Sequence, residues 1–116
     1  MAKVTIYHNP RCSKSRETLA LLKGRGIEPK VIEYLQAPPS RSELKTLLRM
    51  LRLKPRQLLR SKEDAYRTAG LDNDSLDDNA IIAAMTAHPV LIERPIVVVG
   101  ERAVIGRPPE TVLELL

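Results

Sequence analysis

The chain has 116 residues, of which 43% are hydrophobic and 28% charged, with a formal net charge of +5. This length suits one domain, and no apolar run approaches the ~20 residues that span a bilayer. The chain begins Met-Ala-Lys-Val and enters a strand pattern directly, without the pattern of a signal peptide. One cysteine and two histidines exclude an internal disulfide and disfavour a structural zinc site. We therefore expect a cytoplasmic protein with no membrane association, no metal and no bound cofactor.

The positive charge is concentrated at residues 49–62, RMLRLKPRQLLRSK, which contain six Lys or Arg and no acid. A net positive charge suits nucleic acid, an acidic protein surface or a small oxyanion. A solvated helical face is the simpler interpretation of such a run. Because no aromatic residues are interleaved with these charges, single-stranded nucleic acid is not expected as a partner.

Residues 4–23 predict a strand, a tight turn and a helix. Val4 to Tyr7 supply β-branched and aromatic residues, His8-Asn9-Pro10 is a turn sequence, and helix formers follow from Cys12. At a helix start, unpaired N–H groups and the helix dipole favour a thiolate, and such sites lower a thiol pKa from ~8.5 to ~3.5–7.5. A lone cysteine is otherwise a small buried apolar residue, but this position favours a nucleophile. Nearby side chains could add positive charge or hydrogen bonds to the thiolate: His8, Arg11, Ser13, Lys14, Ser15 and Arg16.

A second strand is predicted after this helix. Gly24 and Gly26 provide the stop signal for the helix, and Lys30–Tyr34 then has strand composition. A strand–helix–strand unit of this length predicts parallel pairing with a right-handed crossover.

The middle of the chain, about residues 38–88, is predicted to be a helical insertion. Ser40 and Glu43 form a capping box at its first helix, and His88, which precedes a proline, ends its last helix. The predicted helices are 41–50, 55–60, 62–69 and 79–87, the last capped by Asp77 or Asp78.

The last third predicts two strands and a helix. Ile96–Val99 is a continuous apolar run, typical of a central strand buried on both faces. A hairpin leads to a strand at 103–105, and a helix is predicted at 110–116. The order β-α-β, helices, β-β-α predicts one α/β domain over residues 1–116 with a thioredoxin-like fold. In that fold a four-stranded mixed sheet has helices on both faces, and a cis-proline faces the cysteine. Pro95, which directly precedes the buried strand, is the expected cis-proline.

Four long motifs carry a family resemblance: YHNPRCSKSRETL at 7–19, LLRSKEDAY at 58–66, HPVLIERPIVV at 88–98 and IGRPPETVLELL at 105–116. Over essentially its whole length the chain resembles the glutaredoxin-linked arsenate reductases, the ArsC-like proteins of the thioredoxin superfamily. It is most similar to the short bacterial branch that begins IYHNPRCSKSRETL.

The resemblance implies a role for each matching residue. Cys12 would be the nucleophile, His8 and Ser15 would help to hold its thiolate, and Pro95 would be the cis-proline. The positions that bind the oxyanion and stabilise the arsenic adduct are Arg60, Arg94 and Arg107.

Physical chemistry agrees with these assignments. The planar guanidinium fork gives paired, permanently charged donors that suit a tetrahedral dianion, and a helix N-terminus supplies backbone donors to the same anion. Taken alone, however, each arginine would be interpreted as a solvated surface charge.

The implied activity is reduction of arsenate to arsenite. Cys12 would attack arsenic(V), and because the chain has one sulfur nucleophile an external thiol must supply the remaining electrons. The resemblance implies glutathione as co-substrate and glutaredoxin as the protein that resolves the mixed disulfide. We expect a monomer.

Two alternatives remain open at this point. Cys12-Ser13-Lys14-Ser15 is a C-x-x-S motif, as in monothiol glutaredoxins, so the protein could be a glutathione-dependent thiol–disulfide oxidoreductase. A sister group on the same fold binds RNA polymerase and regulates transcription without catalysis. That group typically carries a C-x-x-C redox switch, which Ser15 cannot complete.

Overall fold

Residues 3–116 are described by the computed structural model, and they form two compact units. One unit contains the described residues up to Ala37 together with Arg94–Leu116, and the other is Pro38–Glu93. The predicted insertion thus corresponds to a unit of its own, which continues to Glu93. That the two units form one domain stays a prediction. The expectation that the chain enters a strand directly, without a signal peptide, concerns Met1 and Ala2, which lie outside the described residues.

The first unit is built around a four-stranded sheet with the order β2-β1-β3-β4. Strand β1 pairs parallel with β2 and antiparallel with β3, and β3 pairs antiparallel with β4. The predicted α/β, thioredoxin-like arrangement is confirmed. Its elements are β1 Val4–His8, α1 Ser13–Gly24, β2 Lys30–Glu33, β3 Ile96–Val99, β4 Arg102–Ile105 and a terminal 3₁₀ helix Pro109–Leu115.

One face of this sheet packs against α1 and the terminal helix. Ile6 of β1 lies opposite Val97 of β3 in the register, and Val97 lies opposite Val104 of β4. Because alternate residues of a strand point to the same face, this register aligns apolar side chains across three strands. The buried residues of this cluster are Ile6, Leu22, Val97, Val112 and Leu115.

Three predicted elements differ from the structure. The helix predicted at 55–60 is a 3₁₀ helix confined to Pro55–Leu58. The terminal helix is 3₁₀ over Pro109–Leu115, not α-helical. The helix predicted at 62–69 is confined to Asp64–Thr68. A short 3₁₀ helix at Pro89–Leu91 was not predicted.

The second unit contains α2 Arg41–Leu51, a 3₁₀ helix Pro55–Leu58, α3 Asp64–Thr68, α4 Asp78–Ala87 and the 3₁₀ helix Pro89–Leu91. The predicted capping box is present, since Ser40 Oγ accepts from the Glu43 N–H and the Glu43 carboxylate accepts from the Ser40 N–H. Helices α2 and α4 pack together. Their buried residues are Leu44, Leu47, Leu48, Ile81, Ile82 and Met85.

Within residues 3–116, every helix is too short or too polar to cross a membrane.

Candidate active site

Cys12 is the N-cap residue of α1 and is 7% exposed. Its backbone is extended, with φ −95° and ψ 123°, and its carbonyl accepts the first helical hydrogen bond, from the Arg16 N–H at 3.0 Å. The cap side chain makes no hydrogen bond to the helix, and the first turn carries no acidic residue. The positive end of the α1 dipole is therefore neither capped by a side-chain oxygen nor neutralised by a carboxylate.

The turn before Cys12 is organised by Asn9. The Asn9 carbonyl accepts from the Cys12 N–H at 3.0 Å, and Asn9 Oδ1 accepts from the Arg11 N–H at 3.0 Å. Arg16 reaches back along the turn and donates from Nη1 to the Pro10 carbonyl at 2.9 Å. These bonds fix the backbone that presents the sulfur at the start of α1.

His8 and Ser15 form a buried pair beside this turn. The His8 Nδ1 lies 2.6 Å from Ser15 Oγ, which also accepts from the Asn9 N–H at 3.0 Å. Both residues are buried. Burial lowers the pKa of His8 from its ordinary 6.5; Glu33 opposes this, and the positive charges of Arg16 and Lys23 add to it. The His8 imidazole of this pair is therefore neutral at neutral pH.

Arg107 connects Cys12 to the loop before β3. Its Nη2 lies 3.7 Å from Cys12 Sγ, within hydrogen-bonding distance of sulfur, and its Nε donates to the Arg94 carbonyl at 2.8 Å. One guanidinium thus contacts the predicted nucleophile while it is held by the backbone of a second predicted oxyanion ligand. A permanent cation at the sulfur stabilises a thiolate and any anion bound to it.

The segments that carry these arginines pack closely on α1. The Arg94–Pro95 peptide bond, for which the cis form was expected, is cis, and so is Arg107–Pro108. The Gly106 N–H donates to the Pro95 carbonyl at 2.9 Å. A Cβ on Gly106 would lie 2.7 Å from Thr18 Oγ1 and 3.0 Å from Pro95 Cγ. Glycine is therefore needed where α1, the Pro95 loop and the end of β4 meet.

Arg60, the remaining predicted oxyanion ligand, belongs to the unit Pro38–Glu93. Its Nη1 makes a salt bridge with Glu63, and its Nε lies 3.8 Å from a carboxylate oxygen of Glu93. In the structure its guanidinium is thus paired with two carboxylates.

Of the predicted site residues, Cys12 and Arg107 are in direct contact, Arg94 joins them through its carbonyl, and His8 pairs with Ser15. Three contributors to the site were not predicted from the sequence: Asn9, Thr18 and Gly106. The turn chemistry of Asn9 was available as a signal, because asparagine side chains commonly accept from the backbone two residues on.

The arrangement suits nucleophilic chemistry at sulfur on an anionic substrate. It offers a cysteine at an uncapped helix start and a guanidinium in contact with it. Over residues 3–116, no group of three or more His, Cys, Asp or Glu side chains is placed to hold a metal ion.

Comparison with known proteins identifies proteins named arsenate reductase both by sequence and by structure. The model of the ArsC family matches residues 7–115. An arsenate reductase of Haemophilus influenzae is 51% identical over 97% of this chain and 98% of its own length. A protein of Escherichia coli K12 named "Uncharacterized protein YfgD" is 53% identical over 98% of this chain and 97% of its own. The solved structure of an arsenate reductase from Vibrio cholerae superposes with a TM-score of 0.96, at 55% identity over 99% of this chain and 98% of that chain.

Proposed function

This chain belongs to the ArsC family, and from that premise we propose that it reduces arsenate to arsenite, with Cys12 as nucleophile and glutathione and glutaredoxin as reductants. The observation that carries the proposal is the contact between the Arg107 guanidinium and Cys12 Sγ at 3.7 Å. It places a permanent cation at the atom that would bond to arsenic. Relatives that are 51% and 47% identical to this chain are named arsenate reductase.

The first step forms a bond between sulfur and arsenic. The Cys12 thiolate attacks arsenic(V), and one arsenic-bound oxygen leaves as water after it is protonated. In this proposal Arg107 donates to the sulfur before attack and to the charged oxygens of the adduct afterwards. The backbone N–H groups at the start of α1 stabilise the same negative charge.

Reduction then requires a second thiol. Glutathione attacks the adduct, and arsenite leaves with two electrons that come from the two sulfurs. A disulfide between Cys12 and glutathione remains, and glutaredoxin reduces it to regenerate the thiol. The chain has one cysteine, so it has no second thiol that could take the place of the external one.

Arg94 belongs to the proposed oxyanion site together with Arg107. The carbonyl of Arg94 accepts from Arg107 Nε, so the backbone of one proposed ligand orients the side chain of the other. The part assigned to Arg60 depends on the family resemblance of its LLRSKEDAY segment. In this proposal Pro95 sets the course of the loop that carries Arg94, and the His8–Ser15 pair supports the turn from which Cys12 is presented.

A thiol–disulfide oxidoreductase that acts on glutathionylated proteins is the second candidate. The observation that favours it is the C-x-x-S sequence at Cys12, whose Ser15 is engaged by His8 in place of a resolving cysteine. Its reaction would need Cys12 and glutathione but no oxyanion.

The test is arsenate-dependent NADPH oxidation with glutathione, glutathione reductase and glutaredoxin present. Wild type should turn over, and C12S should not, because a serine hydroxyl is not ionised near neutral pH. Replacement of Arg107 by Gln should lower kcat/KM for arsenate, whereas Arg102→Gln, at the exposed start of β4, is the matched control. Arsenate turnover that persists in C12S would refute the proposal. Reduction of a glutathione mixed disulfide without arsenate turnover would favour the second candidate.

A further inference from the structure

The basic run at residues 49–62 does not form one surface in the structure. The Arg56 guanidinium donates to the Tyr66 hydroxyl at 3.1 Å and to the Leu71 carbonyl at 2.8 Å. The Arg60 guanidinium pairs with carboxylates. Both side chains are half-buried, so their charges serve contacts within the fold rather than an open surface.

Four other cations form a row along the outer side of α2. Helical positions four apart lie on one face, one turn above the next, so three of these side chains follow one another at steps of about 6 Å. The fourth is the residue at which α2 ends. The members of this row, the α2 stripe, are all exposed: Arg41, Lys45, Arg49 and Arg52.

The α2 stripe is not neutralised by ion pairs. Those formed among residues 3–116 involve none of its four members. Glu43 is the one acidic residue of α2, and its carboxylate accepts from the Ser40 N–H. It lies two positions from Arg41 and from Lys45, and residues two apart on a helix do not face each other.

The stripe occupies positions at which helix stability favours other residues. Like charges four apart on a helix repel each other, and Arg41 places a cation in the first turn, at the positive end of the helix dipole. Arg52 has φ 59° and ψ 42°, the left-handed conformation for which glycine is the usual residue at a helix end. Stability does not account for this arrangement, whereas binding of an anionic partner does.

We propose that the α2 stripe is a docking surface for an acidic helix of another protein, with carboxylates at every third or fourth position. Such a helix carries its charges at the same steps of about 6 Å, and guanidinium groups form paired hydrogen bonds with carboxylates. This surface is independent of the chemistry proposed at Cys12.

Nucleic acid fits the stripe less well. Serine and threonine hydroxyls are common phosphate contacts, but Thr46 Oγ1 donates to the Ser42 carbonyl at 3.1 Å, and Ser42 Oγ lies 3.3 Å from Ser40 Oγ. The sequence of α2 also contains no aromatic residue on which a base could stack. A row of carboxylates needs neither of these contacts.

The probe is a synthetic alanine-based helical peptide with a glutamate at every fourth position, the row peptide. A reference peptide has the same composition, but its glutamates are spread around the helix. Fluorescence anisotropy of the labelled peptides gives the dissociation constant of each. The wild type should bind the row peptide more tightly than the reference peptide, and added salt should weaken the binding because the charges are exposed.

Two variants with the same net charge locate the binding surface. The stripe variant combines R41Q, K45Q, R49Q and R52G, in which glycine suits the left-handed end of α2. The control variant removes four exposed charges outside the unit Pro38–Glu93 and combines K3Q, R25Q, K30Q and R102Q. The dissociation constant of the row peptide should rise about tenfold in the stripe variant, as expected for loss of several exposed ion pairs, and much less in the control. Far-UV circular dichroism checks that both variants are folded.

Equal losses of affinity in the two variants would overturn the proposal, because binding would then follow net charge alone. The same holds if the wild type does not distinguish the two peptides, whether it binds both or neither. A DNA duplex is the remaining probe. If its affinity falls in the stripe variant and not in the control, while the two peptides bind alike, the surface belongs to nucleic acid and the proposal is wrong.

Discussion

Replacement of Gly106 by Ala tests how closely α1 and the arginine-bearing loops must pack. The new Cβ would lie 2.7 Å from Thr18 Oγ1, 3.2 Å from Thr18 Cγ2 and 3.0 Å from Pro95 Cγ. The first of these atoms cannot move freely, because Thr18 is fully buried and its hydroxyl donates to the Lys14 carbonyl at 2.8 Å. The neighbours must therefore separate by several tenths of an ångström.

Inserting a methyl group into such packing costs about 1–3 kcal/mol. Gly→Ala also reduces the conformational entropy of the unfolded chain, which raises the free energy of unfolding by about 0.4–1 kcal/mol where the backbone conformation is compatible. Gly106 does not have the positive φ that would add backbone strain. We expect a net loss of about 1–2 kcal/mol in the free energy of unfolding, or roughly 4 °C in Tm for each kcal/mol in a domain of this size.

The matched control is Gly24→Ala, because a Cβ on Gly24 meets no atom within 4 Å and its φ is not positive. That variant should be as stable as the wild type or slightly more stable. Thr18→Ala removes both Thr18 atoms that a Cβ at residue 106 would meet. The double variant should therefore lose less stability than the sum of the two single losses, by about 0.5 kcal/mol or more.

Urea unfolding followed by far-UV circular dichroism measures these differences. Under the proposed function, G106A should also lower kcat/KM for arsenate, because Arg107 is the next residue and its Nη2 contacts Cys12 Sγ. G106A as stable as G24A, or strictly additive losses in the double variant with T18A, would refute the packing argument.

Three further changes test the surrounding structure by urea unfolding. The free energy of unfolding should fall as pH drops below 6.5, because burial lowers the pKa of His8 and the unfolded chain therefore takes up the proton first. H8Q should weaken this pH dependence, and the exposed H88Q should not. Equal pH profiles for the wild type, H8Q and H88Q would contradict the prediction. S15A should lower the free energy of unfolding by about 1–3 kcal/mol, because it leaves buried polar partners of the hydroxyl unsatisfied. The exposed S13A should change it by no more than about 0.5 kcal/mol, and equal losses in S15A and S13A would contradict a stabilising role for the Ser15 hydrogen bonds. S40A should cost about 1 kcal/mol through loss of the α2 cap, and an unchanged unfolding midpoint would show that the capping box contributes nothing.

Local patterns were sufficient to predict much of the fold. The strand, turn and helix around Cys12, and the capping box of α2, depend on residues that are neighbours in the chain, and the structure contains both. The terminal helix was wrong in type, since helical composition alone does not distinguish an α-helix from a 3₁₀ helix after Pro108 and Pro109.

The site was only partly accessible from the sequence. The position of Cys12 at a helix start follows from local chemistry, but only the family resemblance pointed to Arg107 as an oxyanion ligand. The need for glycine at residue 106 depends on how Thr18 and Pro95 approach it in three dimensions. The pairing of Arg60 with Glu93 depends on a bridge between Leu59 and Ile92, two positions that are distant in the chain, so local spacing in the sequence does not predict it.

The contact between Arg107 and Cys12 joins residues 95 positions apart, with the whole unit Pro38–Glu93 between them in the chain. During synthesis the cysteine leaves the ribosome long before the arginine has been added. The growing chain therefore carries its sulfur without this cation, and the complete environment forms only after a long-range closure, which is a slow kind of folding event. The rate of Cys12 alkylation at different times of refolding would consequently report when the last strand and the segment that follows it reach the cysteine.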